Sequence, residues 1–156
     1  RTKESIKTYQ CRITQATASQ LVVILCDMGI EYLRDACSEE EPAKIQNNIY
    51  MAGKVVDQLL VGLDMQYEIS GNLFMIYNHI KRTLISASVS MDKNELERVS
   101  GLLKRLRGSF YEVSKQDTSE PLMRNTQTVY AGLTYSKGGM GNEMSSDNMA
   151  NRGFKA

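Results

Sequence analysis

The sequence predicts an all-α protein whose body is an antiparallel four-helix bundle. Between Thr17 and Ser114 the apolar residues recur at spacings of three and four, which is the period of an amphipathic helix. The chain has only two prolines, Pro42 and Pro121, and the breaks in the apolar pattern divide this stretch into four helices. The links between the helical patterns are short, and short links make consecutive helices neighbours that run in opposite directions.

The first two predicted helices lie on either side of the segment SEEEP. The first begins behind Thr17 or Ser19, since either hydroxyl can accept a hydrogen bond from a free first-turn amide, and it ends near Ala36. Pro42 suits the first turn of the second helix, where its missing N–H is not needed. The predicted inward stripes are Leu21, Leu25, Met28 and Tyr32, then Ile45, Ile49, Ala52, Val56, Leu59 and Leu63.

A connection over residues 64–68 leads to the third predicted helix, which ends near the segment SASVS. Asp92 is placed to cap the fourth helix, whose pattern is that of a bundle seam. Glycines within the helices are interpreted as points of close helix approach, because each otherwise costs up to about 1 kcal/mol against alanine. The predicted inward stripes are Ile69, Leu73, Ile76, Ile80, Leu84 and Ala87, then Leu96, Val99, Leu103, Leu106, Phe110 and Val113.

Two segments flank the bundle, which occupies residues 17–115. Residues 1–16 form an N-terminal capping segment, and residues 116–156 form an irregular tail rich in Gly, Ser and Met. The tail contains GGMG at 138–141, which lacks the Gly-Lys-Ser/Thr ending of a phosphate-binding loop. We therefore predict one domain with two flanking segments.

Charge and composition exclude several classes of partner. The 19 Lys and Arg against 18 Asp and Glu give a net charge of +1, which is too balanced for nucleic-acid binding. No apolar run is long enough for membrane insertion, and no signal-peptide pattern is visible. The cysteines, Cys11, Cys26 and Cys37, are odd in number and show no C-x-x-C motif, which suits a reducing cytoplasm.

No set of residues predicts catalysis, a cofactor or a metal site. His79 is the only histidine, so a site built on several histidines is excluded. Cys26 and His79 are the one pair from which a nucleophilic enzyme could be built, and no third group is evident to orient them. The basic segment KRLR at 104–107 shares its helix with several glutamates and is interpreted as a mixed solvated face. We predict that the protein is not an enzyme.

Some apolar residues fall outside the inward stripes. A contiguous exposed apolar patch marks a partner site, whereas scattered apolar residues are ordinary. Core expansion and a partner groove are therefore both open interpretations at this point. These off-stripe residues are Val23, Ile30, Phe74, Tyr77 and Leu102.

Three stretches of the chain carry the pattern of one known family. Ile6-Lys7-Thr8-Tyr9, TASQLVVILCDMGIEYL at 17–33 and VGLDMQYEISGNLFMIYNHIKRTL at 61–84 resemble the flagellar secretion chaperone (FliS) family. The similarity continues through SASVSMDKNELERVSGLLKRLRGSF and covers about residues 6–113. Gly62-Leu63-Asp64 followed by Asn72-Leu73 is its most specific part, while Cys26 stands where the family usually has an aromatic residue.

The resemblance implies a cytoplasmic bundle that binds the disordered C-terminal segment of flagellin. Binding there would prevent premature polymerisation and keep flagellin competent for flagellar type III secretion. In the family, the N-terminal segment that carries the tyrosine covers part of the chaperone surface that binds flagellin. Tyr9 and Ile13 are therefore expected to cover groove residues until flagellin replaces them. The candidate partner-binding residues are Tyr9, Ile13, Val23, Ile30, Val55, Leu59, Phe74, Tyr77 and Leu102.

Other interpretations stay open beside this one. Other flagellar export proteins are further candidate partners, and the chain could form a homodimer. The main alternative function is a homodimerising structural or regulatory helical module with no export client. The tail is a candidate competitor for the flagellin groove, because it carries apolar residues but is too glycine-rich to build its own core. Those residues are Leu122, Val129, Tyr130, Leu133, Tyr135 and several methionines.

Overall fold

The part of the chain that the structure describes folds into five α-helices. The structure, a computed structural model, describes residues 3–116, and these residues contain no β-strand. The all-α prediction is confirmed, and a helix is added in the N-terminal segment, to which the sequence pattern assigned none. The tail residues named above lie outside the described residues. The helices are α1 (Lys3–Gln15), α2 (Ala18–Ser38), α3 (Pro42–Val61), α4 (Glu68–Ser90) and α5 (Lys93–Ser114).

Local capping sets where the long helices begin. Of the two candidates for the start of α2, Thr17 rather than Ser19 is the cap: its hydroxyl and the side chain of Gln20 exchange hydrogen bonds with each other's backbone N–H. Pro42 occupies the first turn of α3, as predicted. The Asp92 carboxylate accepts a first-turn N–H of α5 at 2.9 Å. The signals predicted for the starts of α2, α3 and α5 are thus confirmed.

Helices α2 to α5 form a ring of antiparallel neighbours. α2 packs against α3 and α5, and α4 also packs against α3 and α5. The direction of α3 and α4 is visible in their cross-links: Asp57 pairs with Lys81 at 2.6 Å, and Gln46 donates to the Ser88 carbonyl at 3.1 Å. Residue numbers therefore rise along α4 as they fall along α3. This is the up-down bundle that short connections predict.

The core runs along the middle of the ring. It consists of residues that the helical spacing had placed inward, together with a few that it had not. The largest fully buried side chains are Tyr77, Ile13, Met28, Leu33, Ile80, Leu96, Leu103, Val55, Val56, Val99 and Cys26.

Gly29 marks the closest approach of three helices. A Cβ placed there would lie 3.0 Å from Leu103 Cδ1 and 3.5 Å from Val55 Cγ1. At Gly29 the interpretation of a helix glycine as a packing point is therefore right. It is wrong at Gly101 and Gly108, where a Cβ would meet nothing within 4 Å.

α1 lies along the outside of α2 and runs antiparallel to it. The Tyr9 hydroxyl donates to Glu31 at 2.7 Å, and the Arg12 guanidinium donates to Asp27 at 3.0 Å. Lower-numbered residues of α1 therefore face higher-numbered residues of α2. Ile13 is fully buried although α1 is outside the ring. The N-terminal segment is thus attached to the bundle as a separate amphipathic layer.

Candidate functional site

All four helices of the ring have an end at one place, which we call the base. Because their directions alternate, the starts of α2 and α4 lie beside the ends of α3 and α5. Here the ring opens into a groove of about 490 Å³, named the basal groove. Its apolar lining is Leu21, Val22, Leu25, Leu59, Leu63, Tyr67, Ile69, Leu73, Tyr77, Phe110 and Val113.

The rim of the basal groove is exposed to solvent. The exposed fractions are 66% for Tyr67, 60% for Ile69 and 55% for Val113. The prediction that Ile69 and Val113 point into the core is wrong, because helical spacing marks a face but does not ensure that another helix reaches it. α3 ends at Val61, so Leu63 lies in the connection and lines the groove instead of extending the stripe of the second predicted helix.

The floor of the basal groove is buried and neutral. Leu59 and Tyr77 are buried, and burial raises the pKa of the Tyr77 hydroxyl, so that hydroxyl keeps its proton. Asp64 is the only charged side chain among the described residues that line the groove. Its carbonyl accepts a hydrogen bond from the Ser70 hydroxyl at 2.5 Å, which ties the connection to the first turn of α4. Such a surface suits apolar side chains of a partner.

A second surface is the strip of α2 that lies under α1, which we call the α1 seat. It consists of Val23, Asp27, Ile30 and Glu31, spaced so that all four lie on one face of α2. Val23 is buried and Ile30 is half-buried on this outward face. The seat therefore combines apolar residues with two carboxylates.

Asp27 joins three helices. Its Oδ2 accepts from Arg12 of α1, and its Oδ1 accepts from Arg107 Nε of α5. The bond to Asp27 raises the pKa of Arg107, so this guanidinium stays charged. The Asp27 side chain is 21% exposed and its partners Arg12 and Arg107 are 40% and 38% exposed, so water screens these pairs in part.

A third concave surface, of about 330 Å³, lies between α3 and α4. The Asp57–Lys81 ion pair crosses it, and Lys54 stacks over the Tyr50 ring at 5.4 Å. Ile85 on its edge is 63% exposed. This α3–α4 cavity is more polar in character than the basal groove, because charged side chains line it.

The candidate residues from the sequence do not form one site. One group belongs to α1 and its seat, where Tyr9 is half-buried and Ile13 has no exposed surface. These residues are brought together by the antiparallel packing of α1 on α2. The members of this group are Tyr9, Ile13, Val23 and Ile30.

The remaining candidates are divided between groove, core and surface. Leu59 and Tyr77 form part of the floor of the basal groove. Val55 is fully buried, Leu102 is half-buried against the core, and Phe74 is 49% exposed on α4. Their role in partner binding stays a prediction.

The rim of the basal groove was not among the candidates. Leu21, Leu63, Ile69, Phe110 and Val113 all line it, and the sequence pattern had placed each of them on an inward stripe. Their position in the sequence could have identified them, since each lies near the end of a predicted helix. In an antiparallel bundle those ends meet on one side.

The chemistry of the described residues does not assemble a reaction centre. Cys26 is buried, and burial, with the nearby charge of Asp27 as a smaller cause, raises its pKa to about 12. His79 is exposed on α4 whereas Cys26 is buried, so the two side chains of this candidate pair lie in different environments. Within residues 3–116 no cluster of three or more His, Cys, Asp or Glu side chains is arranged to hold a metal ion. None of the described helices is long and apolar enough to cross a membrane.

The fold and surfaces define a class of segment-binding helical bundle, with one amphipathic helix laid on its outside and an apolar groove open at its base. The model of the flagellar protein FliS family matches residues 3–117, and the chain belongs to this family of flagellar secretion chaperones, which bind flagellin for export. Flagellar secretion chaperone FliSB of Pseudomonas aeruginosa PAO1 is 26% identical over 121 residues, covering 71% of this chain and 96% of that relative. Family members are cytoplasmic chaperones and not enzymes.

Proposed function

We propose that the chain binds the C-terminal segment of flagellin by taking apolar side chains of that segment into the basal groove. The observation that carries this proposal is the groove itself, which is open and largely apolar, with Asp64 as its one charged side chain among the described residues and with exposed rim residues such as Ile69. A contiguous exposed apolar surface of this kind marks a partner site. A flagellin segment held there is withdrawn from contacts with other flagellin molecules, which prevents premature polymerisation and leaves the client competent for export.

The client is proposed to continue from the basal groove onto the α1 seat. A segment that is disordered alone loses several kcal/mol on ordering, so it requires an interface of the order of 1,000 Å² or more, larger than one groove. Ala18 and Ser19, which directly follow the short connection between α1 and α2, line the basal groove. The groove therefore leads to the α1 seat, and the client displaces Tyr9 and Ile13 from it.

The test is a calorimetric titration with a flagellin C-terminal peptide of about 40 residues, a length that can bury such an interface. Ile69→Asn is compared with Ile85→Asn. Both isoleucines lie on α4 with similar exposed fractions, 60% and 63%, but Ile69 lines the basal groove and Ile85 the α3–α4 cavity. We expect Ile69→Asn to weaken binding about tenfold or more, and Ile85→Asn to leave it nearly unchanged.

The pair of variants also shows where the proposal fails. Weaker binding in Ile85→Asn alone would place the client in the α3–α4 cavity. Absence of binding to the unsubstituted protein would refute the flagellin C-terminal segment as the client. Unfolding curves of both variants serve as the control, since neither side chain belongs to the core.

Two further partner predictions belong to the same proposal. Other flagellar export proteins would be expected to use the basal groove and to compete with the flagellin peptide for it. A homodimer would be expected to use exposed apolar residues of α4, such as Ile85 and Val89. Sedimentation of the protein over a range of concentrations, with and without the peptide, separates these cases.

A further inference from the structure

The α1 seat carries a charge pattern that a purely apolar client would leave unmatched. Asp27 and Glu31 lie one turn apart on α2, and their side chains are only 21% and 28% exposed. α1 supplies a donor to each carboxylate, from Arg12 and from Tyr9. A carboxylate that loses such a donor without regaining water is unfavourable, so an occupant without donors binds this strip poorly.

Each carboxylate has one oxygen paired with an arginine of the bundle and one oxygen facing α1. One oxygen of each is tied within the bundle: Asp27 Oδ1 to Arg107, and Glu31 Oε1 to Arg34 at 3.6 Å. The other oxygen of each faces α1: Asp27 Oδ2 accepts from Arg12 and Glu31 Oε2 from Tyr9. The outward oxygen of Asp27 is therefore a positioned acceptor, because Arg107 of α5 holds this carboxylate independently of α1, whereas the Glu31 pair lies within α2 and its arginine is 69% exposed.

α1 itself shows what the seat accepts. Tyr9, Arg12, Ile13 and Ala16 follow one another at spacings that place them along one side of a helix, and Ile13 and Ala16 are buried. The accepted pattern is a donor, a cation three residues later, an apolar residue directly after the cation, and a small residue three positions further. The direction is antiparallel to α2, as the order of the two contacts requires.

We infer that Asp27 and Glu31 select the client segment by charge. The flagellin helix that replaces α1 runs antiparallel to α2, with Lys or Arg opposite Asp27 and a hydroxyl or amide donor opposite Glu31. This inference rests on the proposed function, in which the client displaces α1. Complementary charges of this kind contribute more to the choice of partner than to raw affinity.

The experiment has to separate two roles of Asp27, since it binds α1 and the client in turn. Arg12→Ala removes the donor of α1 alone, so the flagellin C-terminal peptide should bind this variant a few times more tightly than the unsubstituted protein. In the Arg12→Ala background, Asp27→Asn removes the carboxylate from the client and from Arg107, and Arg107→Gln in the same background measures the share that comes from Arg107. We expect Asp27→Asn to lower the affinity about tenfold at low salt, and less as salt is raised.

Asp35→Asn in the same background is the matched control, because it removes the same charge from the same helix outside the α1 seat. Its affinity should stay within about twofold. Asp27→Glu, which keeps the carboxylate, should recover part of the loss and rules out simple misfolding. Each Lys and Arg of the peptide is replaced by Gln in turn. One of these replacements should weaken binding to the Arg12→Ala protein but not to the protein that also carries Asp27→Asn.

The outcomes distinguish the two levels of the proposal. If the peptide binds the Arg12→Ala protein and neither Asp27→Asn nor Asp35→Asn changes its affinity, selection by Asp27 is refuted while the proposed function stands. If both aspartate variants weaken binding equally, the effect is one of net charge and the inference is again refuted. If the peptide binds no form of the protein, the proposed function fails and this inference fails with it.

Discussion

The middle of the bundle and its base are made from the same apolar stripes but differ in what lies opposite them. In the middle, Leu103 of α5 is fully buried and lies beside Gly29 of α2, where three helices meet. At the base, Val113 continues the stripe of α5 and Ile69 that of α4, yet both are more than half exposed. Where all neighbouring helices are present the stripe becomes core, and where the helices end it becomes an exposed apolar groove.

The largest expected effect is the loss of a core side chain. Leu103→Ala should reduce the free energy of unfolding by about 2–5 kcal/mol, since it deletes a fully buried leucine and leaves a cavity. Ile69→Ala should cost about 0.5 kcal/mol or less, because Ile69 is already exposed. Urea unfolding of the two variants measures the contrast. Equal losses would mean that the base is part of the closed core.

The second effect compares two glycines. Gly29→Ala should destabilise by up to about 2 kcal/mol, because its Cβ would meet Leu103 Cδ1 at 3.0 Å in a packed interior and this overpacking outweighs the gain in helix propensity. Gly101→Ala is the control: its Cβ would meet nothing within 4 Å, so better helix propensity should stabilise by up to about 1 kcal/mol. Opposite signs of the change in unfolding free energy are therefore expected. Stabilisation by Gly29→Ala would contradict the close approach of the three helices.

Much of the bundle could be predicted because its signals are local. Helical spacing, the cap at Thr17, Pro42 in a first turn and the cap at Asp92 all act within a few residues, and each is found in the structure. The helix in the N-terminal segment was not predicted, since residues 3–15 are polar on average and carry only a narrow apolar face.

The binding surfaces depend on distant parts of the chain and were predicted less well. The ends of α3 and α5 decide whether Ile69 belongs to the core or to the rim of the groove. The spacing of residues along α4 carries no information about where those helices end. The contact between Arg107 and Asp27 joins residues 80 positions apart. Only the packed structure shows that Arg12 reaches the same carboxylate. Tyr9 and Ile13 were proposed as candidates through a family resemblance, which carries tertiary information that one sequence lacks.

The smallest expected effect tests how closed the middle of the bundle is. Burial raises the pKa of Cys26 from its ordinary value of 9.0 to about 12. Between these values the unfolded chain releases the thiol proton while the folded chain keeps it. The folded state then binds more protons, so this contribution to stability is complete below pH 9.0 and is lost as pH rises towards about 12. Tyr77, whose pKa burial also raises, contributes with the same sign.

Cys26→Ala should therefore lower stability by about 1 kcal/mol at neutral pH, as a small cavity does, and should make the alkaline decline less steep. Val99→Ala is the matched control, since it removes buried methyl groups without removing a titratable group. It should lower stability at every pH and keep the slope of the unsubstituted protein. Unfolding free energies measured from pH 8 upward give both the stability of each variant and the slope of its decline with pH. An unchanged slope in Cys26→Ala would mean that water reaches the thiol, and hence that the middle of the bundle opens as the base does.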